Sequence, residues 1–389
     1  MAKSDIDRLY KILQKPERLI VGLMSGTSLD GLDIALCRIA NNGIQTEASV
    51  LKFESVSYDE PFKKEIRKIF AKKEGSIEEL CLLNAEIGII HADLVLKTLT
   101  KWSFPKENVD LIASHGQTIF HSPKRLHQLK DYPDATLQIG DGDHVAYRTG
   151  IITVSDFRQK HVAAGGEGAP LAHIGDYLLF SSVDENRVML NIGGISNFTF
   201  LPKNGDVNKV VSTDCGPGNT LIDALTRRDF NVAFDRDAKL ALSGKLVDAL
   251  LEKMLAHPFF TENPPKTTGP ELFNISFIEE SLRKFNQPVS SLDLLATVTM
   301  LSARSIADAI KKICKEGAVY VSGGGASNPL IMDSLRKLLP GLAVSNLSSL
   351  GYNADAKEAL LFAILANEAV AGESFSSTIP TMGKISFPA

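Results

Sequence analysis

The feature that most constrains the fold is a set of three glycine-rich turns, each directly after an apolar run with strand character. They occupy residues 22–33, 191–197 and 322–328. Glycine permits a tight backbone, so such a turn can aim successive N–H groups at one anion. One turn alone is equally well explained as a crowded hairpin, in which Gly, Ser and Asp are common for steric reasons. Three turns at strand ends, spread over most of the chain, predict a nucleotide held between two α/β lobes.

The first turn is the densest cluster of residues suited to a phosphate. Its glycines free the backbone, its hydroxyls add donors, and its carboxylates Asp30 and Asp33 suit Mg²⁺, directly or through water. It has no GK[ST] ending and is followed by a strand, so it is not a Walker loop. The predicted phosphate-binding residues are Gly26, Thr27, Ser28, Leu29, Asp30, Gly31, Leu32 and Asp33.

Hydrophobic periodicity places these turns in two similar α/β halves. A helix over 4–14 precedes a meander of three strands, and Ser76 with Glu79 forms a capping box before a helix that reaches about residue 100. A buried strand over 109–113 is predicted to break at 114–117. The remaining predicted strands cover 151–155, 188–192, 198–201, 210–213 and 318–321, with helices over 243–256, 291–313 and from 329 onward.

Charge and composition exclude several classes of protein. The 389 residues carry a net charge of −4 and no block of Lys and Arg, which gives no reason to expect nucleic acid or an anionic membrane as partner. No apolar stretch is long enough to span a bilayer, and the charged N-terminal segment is not a secretory signal. Four scattered cysteines and eight histidines form neither a CxxC nor an HExxH motif. These patterns predict a cytoplasmic protein without a structural metal.

Eight segments carry a resemblance to a known family. They read GLMSGTSLDGLDIAL, SHGQT, DFR…AAGGEGAPL, NIGGISN, DCGPGN, FDRDAKLALSGK, SGGGASN and ADAKEAL, in this order. The chain thereby resembles the anhydro-N-acetylmuramic acid kinases. The resemblance implies a two-lobed actin-like (ribonuclease H-like) α/β fold, with mixed sheets flanked by helices and a central cleft. It also implies an ATP- and Mg²⁺-dependent reaction that opens the 1,6-anhydro ring and phosphorylates O6, in amino sugar metabolism and peptidoglycan recycling.

The resemblance assigns roles to individual residues. Asp214 takes the place of the base that removes a proton from the attacking water, and Glu358 matches a carboxylate that contacts the sugar. The segments that line the sugar cleft contribute Ser114, His115, Asp156 and Arg158. The second and third turns contribute the remaining nucleotide contacts, and the third passes the adenosine; these contacts are Gly193, Gly194, Gly323, Gly324, Gly325 and Asn328.

Local capping explains two of these residues without any catalytic role. Asp214 has the spacing of a helix N-cap before Thr220, and Asp355 with Glu358 has the spacing of a capping box. Cys215 is better explained as a small buried residue than as a nucleophile. At the level of the whole chain, a sugar or acyl kinase without ring hydrolysis, a sugar-sensing protein and an inactive interaction module are the competing functions.

Some positions depart from the family pattern. Gln159, Lys160 and His161 follow Asp-Phe-Arg where Arg-rich sequence is usual, and Glu167 stands where Gln is expected. Residues 141–143 replace an Asn/Asp-Pro turn, and Asn353 replaces a proline. An altered charge near the lactyl carboxylate would change sugar binding. The predicted lobes are 1–155 with about 377–389, and 156–376, and a homodimer is the assembly left open.

Overall fold

A computed structural model describes residues 3–169, 171–351, 355–372 and 381–388. The chain divides into two compact units, which we call unit 1 (Met1–Leu179 with Asp355–Ala389) and unit 2 (Phe180–Ala354). The predicted lobe boundary at 155 is therefore wrong, because unit 1 continues to Leu179. The second boundary, predicted near 377, is wrong as well, because Asp355–Ala389 belongs to unit 1. Asn353 lies outside the described residues.

The first part of unit 1 is a sheet with helices on it. Its strands are β1 (Glu17–Ser25), β2 (Gly31–Ala40), β3 (Glu47–Ser57), β4 (Leu111–Ser122), β5 (Ala135–Ile139) and β6 (Thr153–Ser155). Its helices are α1 (Lys3–Leu13), α2 (Glu60–Ile69), α3 (Ile77–Lys101), α4 (Lys124–His127), α5 (Gly142–Thr149), α6 (Phe157–Ala163) and α7 (Ala172–Phe180), of which α7 ends at the unit boundary.

Unit 2 repeats the plan with a different set of helices. Its strands are β7 (Arg187–Ile192), β8 (Ile195–Leu201), β9 (Val211–Pro217), β10 (Gly317–Ser322) and β11 (Leu342–Asn346). Its helices are α8 (Thr220–Phe230), α9 (Lys239–Ser243), α10 (Asp248–Leu255), α11 (Pro258–Thr261), α12 (Ile275–Phe285), α13 (Ser291–Ile313) and α14 (Pro329–Leu338).

The chain then returns to unit 1 through α15 (Lys357–Ala371) and β12 (Lys384–Ser386). Helix α15 packs on β1, β2 and β4, and β12 pairs with β6. The approach is so close that a Cβ at Gly22 would lie 1.9 Å from Ala359 O. This packing is the reason why residues from 355 onward belong to unit 1. The local sequence does not indicate it.

The two sheets share a core topology of five strands, to which unit 1 adds the antiparallel strands β5 and β12. In unit 1 the described strands run β12-β6-β4-β1-β2-β3, with β5 paired to β4; in unit 2 they run β11-β10-β7-β8-β9. In each, an antiparallel meander of three strands is extended by strands parallel to the first strand of the meander. This is the ribonuclease H-like order of the actin-like fold, and the predicted fold class is confirmed.

Several element predictions are confirmed and one is wrong. Helix α13 has the predicted bounds, and Ser76 Oγ accepts a hydrogen bond from Glu79 N at the start of α3. The predicted break at 114–117 does not occur, because β4 continues to Ser122. Its second half is held by β5, with Gln117 opposite Ile139. Tertiary pairing thus keeps Gly116, at φ 74°, inside a strand.

Candidate active site

The turn between β1 and β2 is anchored to the core of unit 1 by the side chain of one leucine, Leu29. Leu29 has φ 59°, an uncommon value for a leucine, and is 3% exposed. It packs in a cluster with Ile66, Ile87 and Ile119. Leu32 is fully buried in the core as well. These two predicted phosphate residues can offer only their backbones to a ligand, whereas the side chains of Thr27, Ser28 and Asp30 are exposed.

The two glycines that flank this turn serve different purposes. A Cβ at Gly31 would lie 2.3 Å from Val56 O, so glycine is required there by the close approach of β3. A Cβ at Gly26 would meet nothing nearer than Ser28 Oγ at 3.6 Å. The open backbone that a phosphate needs is therefore at Gly26.

A chain of buried hydrogen bonds supports the turn. The Tyr58 hydroxyl donates to Ser25 Oγ (2.8 Å), Ser25 Oγ donates to Gln117 Oε1 (2.6 Å), and Gln117 Nε2 donates to Gly26 O (3.3 Å). Tyr58 Oη also lies 2.8 Å from His91 Nε2. Burial lowers the pKa of His91 to about 4, so the ring is neutral and its Nε2–H donates to Tyr58. Each hydrogen bond in this chain therefore has a defined donor and acceptor. The chain ends at Gly26 O and holds the backbone of Gly26 in place.

Charged side chains from four separate segments of unit 1 interact with one another. Burial raises the pKa of Glu358, and the Asp33 carboxylate raises it further, while Arg158 opposes both effects. Burial also raises the pKa of Asp33, with Asp355 adding to the effect. Arg158 Nε donates to His115 Nε2 (3.0 Å) and Arg158 Nη1 to Gly168 O (2.8 Å). We call Asp33, His115, Arg158, Asp355 and Glu358 the carboxylate–arginine cluster.

His115 belongs to this cluster as a neutral acceptor. Burial lowers its pKa to about 3, and the neighbouring Arg158 lowers it as well. Its ring packs on Phe362 of α15, with the centroids 4.7 Å apart. A neutral imidazole that accepts from Arg158 holds the guanidinium in place.

Two of the other predicted sugar residues line a cavity in unit 1. Ser114 and Asp156 border a space of about 470 Å³ together with residues of α3, α5 and β12. Asp156 forms an ion pair with Lys384 and has φ 55°. Ser114 is fully buried. The structure thus brings Ser114, His115 and Asp156 to the walls of one cavity.

The residues after Asp156 that depart from the family pattern stabilise their own segment through hydrogen bonds and an ion pair. Gln159 Nε2 donates to Thr136 O, and His161 Nδ1 accepts from Gly168 N at 3.2 Å. The Glu167 carboxylate lies 3.2 Å from Arg125 Nε. Lys160 is exposed. The Glu167 charge is therefore countered by Arg125, and this segment presents less negative charge than its sequence suggests.

In unit 2 the glycine turns contact each other. A Cβ at Gly323, which has φ 81°, would lie 2.6 Å from Asn191 Oδ1, and one at Gly325 would lie 2.2 Å from Ile192 Cγ2. The carbonyl of Gly193 accepts from Asn219 N (2.8 Å), and that of Gly194 from Gly218 N (2.8 Å). The second and third turns and residues 218–220 therefore form one backbone-lined surface, which we call the glycine surface. Gly324 lies beside Asn219 Nδ2, with 3.6 Å between that atom and an added Cβ.

Asn328 has a structural task in the same region. Its Oδ1 accepts from Ile331 N at 3.1 Å and caps α14, which begins at Pro329. Because Oδ1 is used for this cap, only the other atoms of Asn328 are available for the predicted contact with adenosine.

Asp214 lies in β9 beside the turn between β7 and β8. It is opposite Asn197 in the ladder, and a bulge follows before Gly216 pairs with Ser196. Its backbone N donates to Lys266 O (2.9 Å), and its Oδ2 accepts from Thr268 N (2.8 Å). The carboxylate is thus half-buried and held in one orientation by a backbone amide.

Both capping interpretations are wrong. The N-cap of α8 is Asn219, and Asp214 lies inside a strand. The N-cap of α15 is Ala356, without a side-chain cap, and Glu358 is in the first turn. Cys215 is buried, as expected for a small core residue, and burial raises its thiol pKa far above its usual range.

The described part of the chain contains no group of three or more His, Cys, Asp or Glu side chains arranged to hold a metal ion. Mg²⁺ in phosphoryl-transfer enzymes is commonly held by one or two carboxylates together with phosphate oxygens and water. Asp30 and Asp33 match that limited donor set, and the mutual repulsion of Asp33, Asp355 and Glu358 favours a nearby cation.

Comparison with known proteins decides the family. The family model described as "Anhydro-N-acetylmuramic acid kinase" matches residues 18–382. The chain belongs to the anhydro-N-acetylmuramic acid kinase family. The protein of that name from Pseudoalteromonas atlantica is 48% identical over 98% of this chain and 99% of its own length. The one from Pseudoalteromonas translucida is 50% identical, covering 98% of both chains.

A solved structure with a weaker likeness is the activator of 2-hydroxyisocaproyl-CoA dehydratase from Clostridium difficile with bound ADPNP. It has a TM-score of 0.41 at 12% identity, covering 90% of this chain and 95% of that one. None of the helices in the described ranges has the length and apolarity needed to cross a membrane. As a member of its family, the chain is an enzyme, a phosphotransferase that acts on a small sugar.

Sequence reasoning missed the residues that hold this kinase's site together. Tyr58, His91 and Gln117 support Gly26 from segments far apart in the chain, and Thr268 lies 54 residues from the Asp214 carboxylate it binds. No local spacing signals these contacts. Of these residues, only Gln117 could have been found from the sequence, because it lies inside the SHGQT segment.

Proposed function

We propose that this kinase hydrolyses the 1,6-anhydro ring of anhydro-N-acetylmuramic acid and transfers the γ-phosphate of ATP to O6. The products are N-acetylmuramic acid 6-phosphate and ADP. The reaction serves peptidoglycan recycling in the cytoplasm. The observation that carries the proposal is the geometry at Asp214, a half-buried carboxylate within β9 whose Oδ2 accepts from Thr268 N.

Asp214 is the general base. It takes a proton from the water that attacks C1, the C1–O bond of the anhydro bridge breaks, and the freed O6 attacks the γ-phosphorus of ATP. A bound backbone amide keeps a carboxylate ionised and oriented, as a base requires. The adjacent glycine surface supplies a close-packed backbone without side-chain charge, which suits a nucleotide.

Unit 1 supplies the charged contacts. Arg158 and Glu358 bind the sugar, with Arg158 held by His115 and Gly168 O. The turn at Gly26 cradles phosphate oxygens, and Asp30 and Asp33 would hold Mg²⁺ directly or through water. When bound, Mg²⁺ neutralises charge that develops on the phosphates. The ion pair of Arg125 with Glu167 supports an acidic sugar as substrate, because it offsets a negative charge in this segment.

The test is incubation with ATP and 1,6-anhydro-N-acetylmuramic acid in ¹⁸O-labelled water, with products identified by mass. We expect a sugar phosphate that carries one labelled oxygen at C1. A phosphorylated product without the label identifies a kinase without ring hydrolysis. Sugar binding without any ADP release identifies a sugar-sensing protein. Either result contradicts the proposal.

A further inference from the structure

Lys266 carries a buried positive charge that has no role in the reaction proposed above. The residue is 9% exposed, although lysine is rarely buried without a charged partner. The ammonium donates to Phe259 O (2.5 Å) and lies 4.0 Å from the centroid of the Phe259 ring. Among the described residues it forms no ion pair. Such burial is costly for folding unless the contacts of the ammonium compensate for it.

The backbone of Lys266 is joined to β9. Asp214 N donates to Lys266 O (2.9 Å), and Lys266 N donates to Thr213 Oγ1 (3.0 Å). Two residues later, Thr268 N donates to the Asp214 carboxylate (2.8 Å). Residues 266–268 therefore hold both the backbone and the carboxylate of Asp214.

The side chain of Lys266 fastens this segment on the other side. Phe259 belongs to α11 and is itself buried against the Phe273 ring, with centroids 5.4 Å apart. The ammonium thus ties residues 266–268 to a buried aromatic cluster. Without that tie, the segment is held by its contacts to β9 and by the next residue, whose carbonyl, Gly269 O, accepts from Leu272 N and Phe273 N (3.1 Å each). Thr268 N is then less firmly placed on the carboxylate.

We propose that Lys266 is a positioning residue for Asp214: its ammonium anchors residues 266–268 to Phe259 so that Thr268 N–H orients the catalytic carboxylate. The inference rests on the proposed role of Asp214 as base. It assigns to Lys266 an effect on the proton transfer and none on ATP binding.

The other ionisable groups near this strand do not replace Lys266. The Lys312 ammonium donates to Phe260 O (3.2 Å) and Glu262 O (3.0 Å), before residue 266 in the chain. Cys215 is a buried thiol whose pKa is raised by burial and by Asp214. Burial and Lys312 lower the pKa of Lys266 itself.

The first variant is Lys266→Met, which keeps length and removes the charge. We expect kcat to fall roughly 10- to 100-fold with the KM for ATP unchanged, because misplacing a catalytic group costs about that much. The acidic limb of the kcat–pH profile should move to higher pH. A carboxylate that loses a hydrogen bond to its ionised form has a raised pKa. A purely structural lysine would lower the melting temperature and leave that limb in place.

Matched variants keep the test decisive. Lys253→Met is the control, because its ammonium also donates to a carbonyl, Lys284 O, but from an exposed position on α10; its kinetics should equal wild type. If Lys266→Met does not fold, Thr213→Val loosens the same segment without a charge change and should move the limb in the same direction. A folded Lys266→Met or Thr213→Val with wild-type kcat and pH limb overturns the inference. Activity in Asp214→Asn would instead overturn the proposed function.

Discussion

The two units present different chemistry on sheets that share one five-stranded core topology. In unit 1 the carboxylate–arginine cluster is built from side chains, and its carboxyl groups have raised pKa values. In unit 2 the glycine surface is built from backbone, with carbonyls of residues 193 and 194 bonded to N–H groups of residues 218–220. The same core topology thus presents charged side chains in unit 1 and a close-packed backbone surface in unit 2. Substitutions should therefore act through electrostatics in unit 1 and through sterics in unit 2.

Asp214 breaks this pattern, because it is a charged group in the unit that otherwise uses backbone. Asp214→Asn should lower kcat by about 10²- to 10⁴-fold while ATP affinity stays near wild type, since the amide keeps the shape and cannot take a proton. Ring opening and phosphorylation should fall in parallel, measured by product mass and ADP release. Accumulation of hydrolysed, unphosphorylated sugar would separate the two steps and refute a shared base.

The steric rule for unit 2 can be tested at Gly323. Gly323→Ala places a Cβ 2.6 Å from Asn191 Oδ1 at φ 81° and ψ 170°, a region almost restricted to glycine. We expect a loss of roughly 3–5 kcal/mol in the free energy of unfolding. Urea denaturation measures it.

Gly26→Ala is the matched substitution in unit 1, where a Cβ has open space. The free energy of unfolding should stay within about 0.5 kcal/mol, while ATP affinity falls if the backbone cradles phosphate. Equal destabilisation of the Gly26 and Gly323 variants would contradict the distinction between an open turn and a crowded one.

A smaller effect is expected beneath the unit 1 turn. Tyr58→Phe removes the hydroxyl that accepts from His91 and donates to Ser25. Leaving a buried donor without a partner costs about 1–3 kcal/mol in the free energy of unfolding. The KM for ATP should rise, because the support of Gly26 is loosened. Unchanged stability would mean that the hydrogen-bond chain does not hold the turn.

The subtlest expected effect concerns the pH dependence of the carboxylate–arginine cluster. Glu358 has a pKa raised above its ordinary 4.5, so its stabilising contribution is complete below that pH and is lost as pH rises through the folded-state pKa. Glu358→Gln does not titrate. The melting temperature of wild type should therefore fall relative to Glu358→Gln as pH rises through this window. A difference independent of pH would place Glu358 in solvent rather than beside Asp33.

The sequence predicted the parts of this protein that depend on local physical chemistry. Periodicity located the meander of β1–β3 and helix α13, the Ser76 capping box was found from spacing, and the glycine turns were recognised at their strand ends. The family followed from short motifs whose order is preserved along the chain. In each case the signal and the structure it specifies lie within a few residues of each other.

Only the tertiary structure decided what those motifs contact. The extension of β4 past Gly116 depends on β5, and the membership of Glu358 in unit 1 depends on α15 lying against Gly22. The support of Asp214 comes from Lys266 and Thr268, which join β9 through hydrogen bonds across more than fifty residues. Such contacts are set by the close packing of distant segments, and local spacing carries no record of them.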